Sequence, residues 1–462
     1  MTKPLTVINV VGLTHEMLGP KTPHLSRLAA DGFAKPMGTV LPAVTCSAQS
    51  TMLTGTLPRE HGIVANGWYF RDLSEVYLWR QSNRLVQGEK IWHAAKQRDS
   101  QHTTAQMFWW YNMYADVEYS VTPRPSYPAD GRKVFDSYSH PADLKDQLQA
   151  DLGVFPLLRF WGPGADISSS AWIADASIEV MKRHDPSLTL VYLPHLDYNL
   201  QRLGPDDPQV DEDIRQIDAV AGKLIEEALE LGREVVVLSE YGITSATQPV
   251  HINRVLREAG FLTVRQEPLG WETLDFGASR AFAVSDHQLA HVYIQNPADI
   301  PRVAEVLKQT AGIDMVLDRS SQAEFGLDHE RSGELIAVAA PGAWLTYYFW
   351  LDDEKAPDYA RTVDIHRKPG YDPAELLIDP EIRIPKLRVA SRLARKFLGF
   401  RYYMDLTPLD ASLVRGTHGR LPTPGKEAAE APVFISSSRN IERDDIPMTA
   451  VKEMLLELQF SG

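Results

Sequence analysis

Leu188-Thr189-Leu190-Val191-Tyr192-Leu193 is a continuous, mostly apolar run, and a second, Glu234-Val235-Val236-Val237-Leu238, follows it. Between them, Asp211 to Leu231 carries helical spacing. A strand buried on one face alternates apolar with polar residues, whereas a strand covered on both faces does not. Unalternating strands separated by helices therefore predict a parallel sheet with helices on both sides. Leu5 to Val11 is a third such run. Thr22 to Gly32 reads as a helix, with a Thr-Pro start, Leu25, Leu28 and Ala29 on one face, and glycine at its end.

From about Ala281 the pattern changes. Ala281 to Val284, Ala290 to Ile294, Asp314 to Leu317 and Glu334 to Ala339 read as short strands, and Ile300 to Thr310 as a helix. The expected fold class is α/β: a doubly wound, mostly parallel sheet flanked by helices, with an inserted α+β cap. The expected core is residues 1–252 and 403–462, and the cap is residues 253–402. The charged, proline-containing stretch 357–398 suggests no definite element, and Pro422 to Pro432 reads as an exposed linker.

The chain has 462 residues, a formal net charge of −14 and one cysteine, Cys46. An acidic balance excludes a protein that coats nucleic acid, which needs a basic surface. No intrachain disulfide can form. No apolar run approaches the ~18 residues of a membrane span, and the N-terminus lacks the charged-then-apolar pattern of a signal peptide. The expectation is a cytoplasmic protein without a nucleic-acid or membrane partner; a small phosphorylated or anionic substrate is not excluded, because a local metal or Arg cluster can reverse the field in one cleft.

The segment with most chemistry runs from Leu41-Pro42-Ala43-Val44-Thr45-Cys46-Ser47 through Thr54-Gly55 and Pro58-Arg59-Glu60-His61-Gly62-Ile63 to Asn66. An extended stretch ends at Pro42, and a hydroxyl residue then opens a helix. Thr45 at that helix start is either a cap or a nucleophile facing free N–H groups and the positive end of the dipole. Cys46 in the same turn is either a buried small residue or a stabilised thiolate.

This segment resembles the nucleophile region of nucleotide pyrophosphatases/phosphodiesterases and phosphonoacetate hydrolases, a branch of the alkaline phosphatase superfamily. The resemblance implies Thr45 as nucleophile, Asn66 as amide donor to a phosphoryl oxygen, and His61 as a loop brace. It also implies a metal site, with ligands at Asn9 after the first strand, at Asp197 and Gln201 before Gly204-Pro205, at Glu240 and Tyr241, and at His418 before Gly419. Thr45, Asp197 and His418 match the family pattern. Asn9, Gln201, Glu240 and Tyr241 replace Asp, His, Asp and His. Loss of imidazoles and gain of neutral oxygens moves the set away from two zinc ions toward a harder ion such as manganese or magnesium. The implied cofactor is thus a divalent metal ion of unsettled identity and number.

Outside the resemblance, Asp364-Ile365-His366-Arg367-Lys368 gathers charge in one turn-like stretch, with His366, Arg367 and Lys368 as candidate phosphate contacts. Asp286-His287 with His291, and Asp328-His329 with Arg331, are further clusters. Each reads alternatively as a loop network or surface ion pair. The aromatic stretches Phe108 to Tyr114 and Trp344 to Trp350 read as core, or as a stacking platform. The implied activity is hydrolysis of phosphodiesters, phosphoanhydrides or related phosphoryl compounds. A transferase on the same scaffold and a binding protein that has lost the metal chemistry are the alternatives.

Overall fold

The structure, a computed structural model, describes residues 2–130 and 132–460. Its centre is an eight-stranded sheet. In chain order the strands are β1 (Leu5–Val10), β2 (Phe33–Pro36), β3 (Thr104–Met107), β4 (Tyr119–Pro123), β5 (Ser137–His140), β6 (Leu188–Leu193), β7 (Glu234–Leu238) and, near the C-terminus, β12 (Val433–Ser436). Their order across the sheet is β2-β12-β7-β1-β6-β3-β4-β5. The run β7-β1-β6-β3-β4 is parallel, while β12 and β5 are antiparallel to their neighbours.

Strand parity explains the absence of alternation. Ile8 and Val10, Val191 and Leu193, and Val235 and Val237 point into one apolar layer. Leu5 and Val7, Leu188 and Leu190, and Val236 and Leu238 point into the other. The first layer is covered by helices that include Pro23–Asp31, Ile167–His184 and Val210–Glu230. The second is covered by Thr45–Thr54, Ile91–Arg98 and Val451–Phe460. Each strand is apolar on both sides because each side meets helices.

A second sheet is antiparallel: β8 (Ala281–Asp286), β9 (Leu289–Ile294), β10 (Ile313–Leu317) and β11 (Leu335–Ala339), in the order β8-β9-β11-β10. Its own apolar cluster contains Trp344, Tyr347, Tyr348, Phe349 and Trp350, all fully buried, so that aromatic stretch is core. The mixed α/β architecture matches the expectation.

Two stretches differ from their sequence readings. Within 357–398, Pro385–Phe397 forms a 13-residue helix with no buried residue. Between Pro422 and Pro432, residues 424–428 are exposed, but Ala431 and Pro432 are buried, because β12 follows immediately. Among the described residues, no helix is long and apolar enough to cross a membrane.

Candidate functional site

The carboxyl ends of the parallel strands bring the candidate residues together. Asn9 lies level with Tyr192 and Leu238 in the β1 registers. Asp197 sits in the first turn of the helix His195–Leu203, which follows β6. Glu240 and Tyr241 follow β7 directly. His418 arrives from far along the chain through a short antiparallel pairing of Thr244–Ser245 with Gly416–Thr417. Gly416 is required there: a Cβ at this position would lie 2.0 Å from the Leu200 carbonyl oxygen.

Thr45 is the first residue of the helix Thr45–Thr54, and Val44 is its cap. The capping reading of Thr45 therefore fails. Its hydroxyl instead lies 3.1 Å from the Tyr241 hydroxyl, which donates to Asp197 Oδ1 at 3.3 Å. Asp197 Oδ2 accepts from Gln201 Nε2 at 2.8 Å, and Gln201 Oε1 accepts from Tyr371 at 2.9 Å. On the other side of Thr45, Glu240 Oε1 accepts from Asn9 Nδ2 and from Gln49 Nε2, both at 2.6 Å. All these residues are buried.

A column of rings closes the cluster. The Tyr241 and His418 rings stack at 3.5 Å, His287 lies 3.6 Å from His418, and Tyr371 stacks on His287 at 3.8 Å. His287 occupies the turn between β8 and β9 with φ of 56°, a left-handed conformation uncommon outside glycine. The hairpin also supplies Asp286, whose carboxylate accepts from Asn66 N at 2.7 Å and Asn66 Nδ2 at 3.0 Å. Asn66 Oδ1 in turn accepts from Cys46 N at 2.9 Å. Asn66 thus ties the turn that opens the helix Thr45–Thr54 to the second sheet.

Burial sets the electrostatics. With little solvent to support charge, Asp197, Glu240 and Asp286 each rise to a pKa of about 7, although their hydrogen bonds pull the other way. Burial, reinforced by Asp197 and Glu240, pushes the Tyr241 phenol well above its ordinary range, so an ionised Tyr241 is not the local base. Burial lowers His418 to about 3, leaving a neutral ring. Its Nδ1 donates to the Ala43 carbonyl at 2.7 Å, and its Nε2 lies 3.9 Å from Asp197 Oδ1.

His61 braces its loop, with Nε2 3.1 Å from Thr51 Oγ1 and Nδ1 accepting from Ile63 N. Cys46 is fully buried, and burial raises its thiol well above the usual range, so the thiolate reading is excluded. Lys368 is buried in ion pairs with Asp372 at 2.7 Å and Glu375 at 2.8 Å, while Arg367 pairs with Asp358 and Asp364. Burial, helped by Arg80, lowers the pKa of His366. Instead of these cations, the segment brings Tyr371 into the cluster. His291 hydrogen-bonds the Val64 carbonyl and Gly333 N, and Arg331 the Gly62 and Leu85 carbonyls, so both act as loop networks.

Residues 5–372 match the sequence profile of the type I phosphodiesterase/nucleotide pyrophosphatase family. The chain belongs to that family. An uncharacterised pyrophosphatase/phosphodiesterase of Schizosaccharomyces pombe is 24% identical over 246 residues, which cover 51% of this chain and 42% of that protein. The chain therefore aligns with less than half the length of that relative. Phosphonoacetate hydrolase from Sinorhizobium meliloti 1021, solved with phosphonoformate, superposes with a TM-score of 0.63 at 14% identity, over 99% of this chain and 96% of that one. Murine ectonucleotide pyrophosphatase/phosphodiesterase 5, solved with AMP, gives 0.58 at 15% identity, over 99% and 95%. The alkaline phosphatase-like fold is thereby shown, and the resemblance carried by the Leu41 to Asn66 segment is borne out.

The family implies a metal centre, and the residues present do not fit one of the two-zinc type. One position offers a carboxylate and an amide, Glu240 and Asn9, already hydrogen-bonded to each other. The other offers Asp197 and His418, but both Asp197 oxygens accept hydrogen bonds, and the Tyr241 ring lies flat on the His418 ring. Among the described residues, no group of three or more His, Cys, Asp or Glu side chains is placed to hold a metal ion. Asn9 Oδ1, Glu240 Oε2 and His418 Nε2 remain buried acceptors without a partner among those residues.

Proposed function

We propose that the protein hydrolyses small phosphoryl or phosphonyl compounds, with Thr45 as nucleophile and Asp197 and Glu240 as its acid–base pair. The observation that carries the reading is the line Thr45 Oγ1, Tyr241 Oη, Asp197 Oδ1, with steps of 3.1 and 3.3 Å. An ionised Asp197 draws the proton of Tyr241, which takes that of Thr45. The threonine oxygen attacks phosphorus and the leaving group departs with its electron pair. Water then cleaves the threonine ester, and Asp197 returns its proton.

The raised carboxyls serve both halves of this scheme. Burial holds both carboxyls near 7, and an ionised Asp197 further disfavours charge on Glu240, so the pair supplies both a base and an acid near neutral pH. The charged partner acts as base. The protonated partner donates to an anionic substrate, which two buried carboxylates would repel. The N-terminus of the helix Thr45–Thr54 adds its dipole. The ligands of the solved relatives, phosphonoformate and AMP, support a small anionic substrate. We assign residues 253–402 the role of a cap, because His287 and Tyr371 close the site from that region. The single buried cysteine supports the cytoplasmic setting expected from the sequence.

One observation favours the binding-protein reading: every replaced ligand is already engaged within the protein, and no metal set replaces the lost one. Trapping separates the two. Incubation with a p-nitrophenyl phosphodiester should leave a phosphoryl group on Thr45, detected by mass spectrometry, and Thr45→Ala should abolish both label and turnover. Ligand binding without turnover or label, unchanged in Thr45→Ala, would replace the hydrolase reading.

A further inference from the structure

The helix Pro385–Phe397 rests on the protein in an unusual orientation. Its Arg388 and Arg392 reach inward to Asp405, with Arg392 bonding at 3.1 and 3.2 Å. At 100° per residue, Leu387, Ala390, Leu393, Ala394, Phe397 and Leu398 fall on one arc of the helix, away from those arginines. That apolar arc faces solvent. Phe397 is 92% exposed and Leu398 67%, and Leu387 and Leu393 are exposed with them. Phe400 continues the patch at 63%. A surface helix ordinarily turns its apolar face inward, so an outward one marks a surface that something else covers.

Charge identifies what covers it. Between residues 382 and 404 there are seven cations, Arg383, Lys386, Arg388, Arg392, Arg395, Lys396 and Arg401, and no acidic residue. The chain as a whole carries −14. Arg383, Lys386, Arg395 and Arg401 are exposed around the apolar arc. A second copy of this face would set these cations against one another, which opposes a symmetric pair. An anionic lipid surface meets both features, with acyl chains for Phe397 and Leu398 and headgroups for the flanking cations. Tyr402 and Tyr403, partly exposed beside the helix, are residues suited to the headgroup level.

We propose that the helix Pro385–Phe397 docks the protein onto an anionic membrane surface. The helix lies along the surface and does not span it, since its 13 residues fall well short of the ~20 a crossing needs. The sequence expectation of no membrane contact rested on span length, which does not register a short helix of this kind.

The full chain is mixed with vesicles of phosphatidylcholine alone, or of phosphatidylcholine with phosphatidylglycerol, and sedimented. It should pellet with the anionic vesicles only, and salt should release it. Leu393→Asp with Phe397→Asp should lower the bound fraction at least about tenfold. Lys386→Glu with Arg395→Glu should lower it by at least about fivefold per charge. Unchanged urea unfolding shows that these exposed-site variants remain folded. Absence of wild-type binding, or equal binding by both variants, overturns the proposal. A wild-type dimer in size-exclusion chromatography that Phe397→Asp dissociates also overturns it, in favour of a second copy.

Discussion

Replacing Asp197 with Asn removes one of three buried carboxyls whose folded-state pKa is raised to about 7. In the unfolded chain Asp197 returns to its ordinary 3.8, so the folded state holds the proton more tightly. The folded pKa lies above the unfolded one. Stability from this group is therefore fully present below about pH 4 and is lost as pH rises through about 7. A difference of about 3 pH units, at about 1.4 kcal/mol each, makes the total roughly 4 kcal/mol. Asp197 is buried, so solvent screening does not reduce it. Carboxylates held low, such as Asp318 at about 2, change stability in the opposite sense, but at lower pH. The buried histidines lowered to about 3 or 4, His61, His251, His291 and His418, change stability in the opposite sense below about pH 6.5, so urea unfolding between about pH 5 and pH 8 reads the Asp197 share as the difference in slope between wild type and variant. Asp197→Asn, which cannot ionise, should lose most of its own share of that slope, and Glu240→Gln should do likewise. Parallel pH profiles for wild type and Asp197→Asn would refute the view that Asp197 is buried without a neutralising partner. Its proposed role as a pH-dependent base would fall with it.

Tyr241→Phe removes only the hydroxyl between Thr45 and Asp197, and should lower turnover at least about 100-fold while the protein stays folded. The rate of phosphodiester hydrolysis by wild type should trace a bell with its maximum near pH 7, whereas binding of inorganic phosphate, followed by calorimetry, should weaken steadily above that pH. Elemental analysis after dialysis should find less than one equivalent of zinc in the wild type, and a raised zinc content in the combined variant Asn9→Asp, Gln201→His, Glu240→Asp and Tyr241→His. Lys368→Met leaves Asp372 and Glu375 buried without their cation, and should destabilise the fold by about 3–5 kcal/mol in urea unfolding.

The parallel strands were legible because burial on both faces writes itself into the sequence as unalternating apolar runs, as at Leu188 to Leu193 and Glu234 to Leu238. Strand ends were legible through the resemblance to the family, whose pattern, matched segment by segment, put Thr45, Asn66, Asp197, Glu240, Tyr241 and His418 in order along the chain. Their hydrogen bonds were not. Gln201 and Tyr371 are 170 positions apart, and no local pattern announces their contact. His287 was readable as one of a charged cluster, but its ring contact with His418 depends on a left-handed turn that its residue type does not require. The segment 357–398 defeated sequence reading for a different reason. Apolar periodicity is ordinarily read as a core-facing stripe, and in Pro385–Phe397 that stripe faces outward while arginines make the internal contacts.

The four departures from the family pattern are better understood as one change than as four. Asp and His at a metal position are held together by the ion's charge; without it, adjacent buried carboxylates repel and bare imidazoles lack a partner. Here each replacement is the donor or acceptor that its neighbour needs. The Asn9 amide donates to Glu240, the Gln201 amide donates to Asp197, and Tyr241 donates to Asp197 while lying flat on His418. Gln49 and Tyr371, which the family pattern does not single out, complete the exchange by bonding Glu240 and Gln201. A single reversal such as Tyr241→His would restore one nitrogen but leave Asp197 without its phenol donor and the Thr45 hydroxyl without its neighbour. Only when Asn9, Gln201, Glu240 and Tyr241 change together does the arrangement of donors become again an arrangement of ligands. The interaction energy among the four positions should therefore be large, and zinc binding should rise far more in the combined variant than the sum of the single changes allows.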